Sequence, residues 1–179
     1  MSAGLRAVTA GLLLCAMTAQ AEDSMTDRIG DYRIGDRLDV GALGPGWEIS
    51  DGGDATDCAL LSGGSLPVDI GMMVLDGRVA RFEIRGEAMA EEASPSPSPS
   101  PSLAPFGLRV GMSLRDAAVR FPNEPLDIDF HKYAWPPGIY LSWFDDAGNR
   151  AVRVEVPDAT VDVILWGTPE AVRLTEGCV

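Results

Sequence analysis

The chain has one histidine, one lysine and three cysteines among its 179 residues. That inventory leaves little for metal or general acid–base chemistry, since a structural zinc site alone takes about four nitrogen or sulfur ligands. Basic residues are scarce as well: 14 Lys and Arg face 27 Asp and Glu, a formal net charge of −13. Nucleic-acid binders gain affinity by neutralising phosphates, so a chain this acidic is excluded from that class. Anionic membrane surfaces repel it too. Past the N-terminal segment, no run reaches the roughly 18 apolar residues that a membrane helix needs. Catalytic motifs are missing. Gly111-Met112-Ser113-Leu114-Arg115 only begins like a nucleophile elbow, and Gly63-Gly64-Ser65 lacks the lysine of a phosphate loop and reads as a turn. Any Ser or Cys triad would have to use His131, and no serine has a supporting context. Carboxylates are plentiful enough for a glycosidase-like pair, but nothing singles one out. Asp51-Gly52-Gly53-Asp54-Ala55-Thr56-Asp57 has oxygen ligands for calcium without the EF-hand spacing, and reads as a solvated turn. No cofactor, no metal and no catalysis are expected.

What is present begins with an export signal. Met1 to Arg6 is short and basic, Ala7 to Ala19 is apolar but too short to span a bilayer, and Ala19-Gln20-Ala21 is a small-x-small cleavage pattern. Cleavage after Ala21 leaves a mature protein, periplasmic or extracellular, with no membrane insertion. A lipid anchor on Cys15 is the rival reading, opposed by the bulky Leu12-Leu13-Leu14 before it. Removal of Cys15 leaves Cys58 and Cys178. In an oxidising compartment the pair reads as a disulfide, with two buried free thiols as the alternative. A bridge over so long a loop is worth roughly 4–5 kcal/mol in the chain-entropy model, before strain.

Composition divides the mature chain. Ser94 to Ser102 alternates serine with proline, which removes backbone donors and favours extended polyproline II. The expected organisation is a signal peptide (1–21), an N-terminal half (22–87), a Ser/Pro-rich linker or inserted loop (88–105) and a C-terminal half (106–179). The halves open alike, Tyr32-Arg33-Ile34-Gly35-Asp36-Arg37-Leu38 and Leu108-Arg109-Val110-Gly111-Met112-Ser113-Leu114. In the second, Ser113 and Asp116 form a capping pattern, and Leu114, Ala117, Ala118 and Phe121 share one helical face that Pro122 ends. In the first, Leu38 to Leu43 is interrupted by Gly41 and closed by Gly44-Pro45.

The period then changes to two. Val68–Leu75 and Val79–Ile84 flank the hairpin signal Asp76-Gly77. Ile139–Phe144 precedes a turn, and Val152, Val154 and Val156 alternate with Arg153 and Glu155 as in a half-buried strand. Val161, Val163 and Leu165 alternate again, and Val172 with Leu174 reads as a last short strand. The expected fold is α+β: two tandem repeats of a short helix followed by an antiparallel meander, packed together and stapled by one long-range disulfide.

The distinctive stretch is Asp127 to Tyr140, which holds the only His and the only Lys side by side. Nine of the 12 aromatic residues follow the linker. His131, Lys132, Tyr133, Trp135, Tyr140 and Trp143 are therefore the candidate binding residues, able to anchor a protein or stack on sugars. The bland alternative makes the rings the core of a small sheet.

Several motifs also carry a resemblance. Met73-Val74-Leu75-Asp76-Gly77-Arg78-Val79-Ala80-Arg81, Gly107-Leu108-Arg109-Val110-Gly111-Met112-Ser113, His131-Lys132-Tyr133 and Glu176-Gly177-Cys178 resemble an uncharacterised family of secreted bacterial proteins, some with a lectin label. The two helix openings more distantly resemble tandem BamE (SmpA/OmlA)-like repeats and those of the β-lactamase inhibitor protein. The chain lacks the cysteine pair inside each repeat of the inhibitor and a lipobox of the BamE kind. Together these imply an exported protein-binding module, envelope or secreted and inhibitor-like, whose partner is another protein. Carbohydrate binding through the same rings is the alternative, and an unrecognised hydrolase the third.

Overall fold

The computed structural model describes residues 25–50, 57–86, 103–122 and 125–178. The expected signal peptide, most of the expected Asp51–Asp57 turn and the Ser-Pro tract lie outside these residues. A small hairpin comes first, β1 (Arg28–Ile29) with β2 (Tyr32–Arg33). Four strands follow in order: β3 (Trp47–Ser50), β4 (Cys58–Gly63), β5 (Ile70–Leu75) and β6 (Arg78–Arg85). After α1 (Leu114–Ala118) come β7 (Asp127–Phe130), β8 (Ile139–Phe144), β9 (Ala151–Val156) and β10 (Val163–Gly167), and then α2 (Pro169–Arg173).

These eight strands form one antiparallel sheet in the order β3-β4-β5-β6-β10-β9-β8-β7. Each meander thus ends on its innermost strand. β6 and β10 pair with each other, from Val163 opposite Arg85 to Gly167 opposite Arg81. The expected α+β fold is therefore corrected to a mostly β one. The two helices have five residues each, and the halves join edge to edge instead of packing as separate units. The first expected helix is only a three-residue 3-10 turn, Val40–Ala42, because Gly41 and Gly44-Pro45 leave too little chain to propagate a helix. The expected last strand through Val172 and Leu174 is α2. Thr168 caps it by accepting from the Ala171 N–H, and Pro169 starts it, a combination that outweighs a two-residue alternation. Strands β3, β4 and β7 and the β1–β2 hairpin were not expected.

Both meanders are bracketed by the same backbone bonds. Gly35 N–H donates to the Val79 carbonyl at 2.8 Å and Val79 N–H returns to Asp36 at 3.0 Å. In the second half Gly111 donates to Val161 at 2.8 Å and Val161 returns to Met112 at 2.8 Å. Both glycines have positive φ, 96° and 82°, which is why this position takes glycine. At the β5–β6 hairpin, Asp76 and Gly77 have φ of 52° and 65°, the two left-handed residues that a type I′ turn needs.

One sheet face carries the main core. Leu61, Met72, Val74, Phe82, Leu141, Trp143, Val154, Ile164 and Trp166 are buried there under the β1–β2 hairpin and the 104–121 segment. Phe82 and Trp166 meet across the central pair with ring centroids 5.8 Å apart. The opposite face has a small apolar cluster, Leu60, Met73 and Ala80 under Ala171 of α2, with Cys58 and Cys178 packed against it. Cys58 and Cys178 are disulfide-bonded, 120 residues apart in sequence. The bridge pins the C-terminal tail to β4, across the junction of the two halves. Among the described residues no helix is long and apolar enough to cross a membrane.

At the β6–β10 junction the backbones approach so closely that only glycine fits. A Cβ on Gly167 would lie 2.1 Å from the Ala80 carbonyl oxygen and 2.6 Å from the Arg81 Cα. Gly167→Ala should therefore cost roughly 1–3 kcal/mol or more in a urea unfolding experiment. An unchanged midpoint would show that the two strands do not meet as described.

Candidate functional site

Strand pleating divides the aromatic stretch between two faces. On β8, Leu141 and Trp143 point to the main core, and Tyr140 and Ser142 to the opposite face. Trp143 is 9 % exposed and packs edge-on against Phe106, with centroids 5.2 Å apart. Tyr140 is 4 % exposed. Its ring lies between the Arg153 guanidinium, 5.0 Å away, and the His131 ring, 4.6 Å away. Two of the four candidate rings are thus core. The other two are open: Tyr133 is 62 % exposed and Trp135 is 92 % exposed.

His131 works as a structural acceptor. Its Nδ1 accepts the backbone N–H groups of Tyr133 at 3.2 Å and Ala134 at 3.1 Å. Nδ1 is therefore occupied in shaping the turn after β7. The ring Nε2 lies 3.6 Å from the Glu155 carboxylate. The Lys132 backbone N–H donates to the Tyr140 hydroxyl at 3.1 Å, fixing the next residue. The Lys132 ammonium and the Tyr133 hydroxyl both bind the Glu176 carboxylate. These contacts clasp the 131–134 turn to the C-terminal tail, which the disulfide holds in turn. The sequence motif His131-Lys132-Tyr133 and Glu176-Gly177-Cys178, far apart in the chain, is one contact in space.

Strand β7 lies at the outer edge of the sheet, and all four of its residues are exposed. Its apolar members face the core side but run past its cover: Ile128 is 65 % exposed and Phe130 is 80 % exposed. Register fixes the direction of the backbone groups. Asp127, Ile128, Asp129 and Phe130 pair with Ser142, Leu141, Tyr140 and Ile139, and the His131 N–H donates to Gly138 at 2.8 Å. Hydrogen-bonded pairs alternate in an antiparallel ladder, so Asp127 and Asp129 point their backbone groups at β8. The N–H and C=O of Ile128 and Phe130 then point outward, away from the sheet. The sequence reading missed both residues. Their signal is the alternation Asp-Ile-Asp-Phe, four residues too short to stand out before the Phe130–Tyr140 run.

The opposite face holds a charge cluster that was also missed. Glu83 accepts from Arg81 at 3.0 Å and from Arg85 at 2.8 Å, and Arg81 also donates to the carbonyls of Ala171 and Leu174 at the end of α2. Arg153 donates to the Ser142 hydroxyl at 3.1 Å. Alternation in β9 suggested that Arg153 and Glu155 face water; both are largely covered. Burial lowers the affinity of Arg81 and Arg153 for their protons, against the pull of neighbouring carboxylates. No group of three or more potential metal ligands occurs among the described residues.

No family model matches the chain, and neither a curated protein nor a solved structure matches it. The functional reading therefore rests on geometry.

Within the charge cluster Glu155 is the least comfortable member. Burial raises its carboxyl pKa above the usual range, opposed by the charges of His131, Arg85, Arg153 and Arg81. A carboxyl whose folded value is raised binds protons more tightly when folded, so stability falls as pH rises through that value. Glu155→Gln should accordingly be more stable than the natural chain at pH near 7, with the gap closing below about pH 4, where the unfolded carboxyl also protonates. Chemical unfolding at both pH values measures this. Destabilisation at neutral pH that disappears in acid would show that its ion pairs outweigh burial.

Proposed function

We propose that the chain is an exported, non-catalytic protein-binding module that takes an extended segment of its partner along β7. One observation carries the reading: β7 is an edge strand whose outward backbone groups belong to Ile128 and Phe130, and whose apolar face is uncovered. Exposed edges invite pairing, and folded proteins usually blunt them. Here the apolar side is left open, and the exposed rings of Tyr133 and Trp135 follow within five residues of Phe130. Strand addition draws affinity from main-chain hydrogen bonds and specificity from alternate side chains. The clasp on Glu176 and the turn held by His131 keep the edge in one shape, which lowers the ordering cost of binding.

The carbohydrate alternative needs a platform of rings, and burial of Tyr140 and Trp143 removes half of it. A hydrolytic role for His131 is disfavoured by the two backbone donors on its Nδ1. The disulfide is compatible with the oxidising compartment that export supplies.

A random peptide library displayed against the immobilised, disulfide-bonded protein tests the reading. Selected peptides should lose at least about tenfold in affinity on Phe130→Asp, the kind of loss a central apolar anchor gives. Trp135→Ala should weaken them as well, with far-UV circular dichroism unchanged. Peptides that bind both variants as well as the natural chain would rule β7 out as the docking edge.

A further inference from the structure

The two faces of β7 differ in chemistry, and that difference defines the partner. The following rests on the reading of β7 as a docking edge. Ile128 and Phe130 lie on the core side of the sheet, across from Leu141 and Ile139. Asp127 and Asp129 lie on the opposite side, across from Ser142 and Tyr140. Both carboxylates are exposed, and neither takes part in a salt bridge among the described residues. Asp129 acts on Arg153, which is itself engaged with Tyr140 and Glu155.

A strand added antiparallel outside β7 places each of its residues directly across from one of these four, on the same face. Its residues opposite Ile128 and Phe130 would complete the uncovered apolar stripe. Its residues opposite Asp127 and Asp129 would meet two carboxylates in a chain of net charge −13. Asp129 gains further weight from the ladder geometry. Ile128 and Phe130 supply the outward hydrogen bonds, so the partner residue facing Asp129 occupies a non-hydrogen-bonded pair. Those pairs bring Cα atoms to about 4.5 Å and side chains closest together. A cation fits there, and a carboxylate is repelled.

We infer that the partner segment alternates apolar with basic residues, apolar across from Ile128 and Phe130 and Lys or Arg across from Asp127 and Asp129. A second copy of β7 does not fit. Any face-matching antiparallel register that overlaps two β7 strands by three or more residues sets aspartate against aspartate, which is destabilising. The two carboxylates thus exclude self-association at this edge while selecting an oppositely charged strand.

The test uses the full disulfide-bonded chain and synthetic peptides of about eight residues, the length of an ordinary strand. One peptide alternates Lys with Val, a second alternates Glu with Val, and a third scrambles the first. Binding is followed by fluorescence anisotropy at low salt and again at 0.15 M. The Lys–Val peptide should bind at least about tenfold more tightly than the Glu–Val peptide, and more tightly than the scramble. The charge preference should shrink with salt, since these groups are exposed. In the double variant Asp127→Lys/Asp129→Lys the preference should reverse, with the melting temperature as the check that the sheet is intact. Equal binding of the Lys and Glu peptides, or a preference that survives the reversal, overturns the assignment of charge while the docking edge stands. Failure of every peptide, with Phe130→Asp making no difference, removes the docking edge and the inference with it.

Discussion

Five residues of β6 and five of β10 face each other in the middle of the sheet, and the rest of the molecule is arranged around that pairing. It joins the last strand of each meander, so the two sequence halves share one hydrogen-bonded ladder. It also sorts the side chains. Phe82 and Trp166 meet on the core side, both fully buried, and each large apolar side chain placed there is worth about 1.5–3 kcal/mol. Arg81 and Glu83 fall on the other side beside Gly167 and Leu165. Arg81 reaches from there to the carbonyls of Ala171 and Leu174 at the end of α2 and adds a donor to the Ala171 oxygen, which also takes the Leu174 N–H. The helix, the tail and the disulfide are therefore set by where β6 and β10 cross.

The same pairing decides where the edges lie. With β6 and β10 inside, β3 and β7 must be outermost. The two edges are not alike. β3 begins with Trp47, which packs on Tyr32 at 5.5 Å and lies against Gly64, where any side chain would collide with its ring. β7 carries Ile128 and Phe130, both largely exposed among the described residues, and its following turn is braced by His131, Tyr140 and Glu176. A rigid turn beside an uncovered strand is the arrangement that favours an incoming segment at low ordering cost.

Much of the sheet was legible in the sequence, because alternation and turn chemistry are local. Ile139–Phe144 was read with the bounds it has, and the Asp76-Gly77 turn sits where its left-handed pair demands. The Cys58–Cys178 bridge was the reading of the two cysteines left once Cys15 is removed, with buried free thiols as the alternative, and the bridge is present. The fold class did not follow. Ser113 does cap α1, but the helix stops after five residues, short of Phe121, although Phe121 is buried in the same core. Nor does alternation say how two meanders meet. β6 and β10 are about 80 residues apart, and nothing local in either strand announces the other. The site was half legible for the same reason. Aromatic content marked the 127–143 stretch, but burial of a ring depends on what covers each face: Tyr140 and Trp143 point to opposite faces of β8 and both are buried, whereas Trp135, outside the strands, is open.

If β6 and β10 are the seam that makes the halves one sheet, their amides should be the last to exchange in the native state. Hydrogen exchange resolved by residue or by short peptides measures this directly. The amides of 81–85 and 163–167 should exchange only on global unfolding, together and at one rate limit, with β3 and β7 exchanging well before them. Exchange of either central strand ahead of its own meander, or at clearly different limits for the two, would contradict the account, because the halves would then open from each other while each stayed folded.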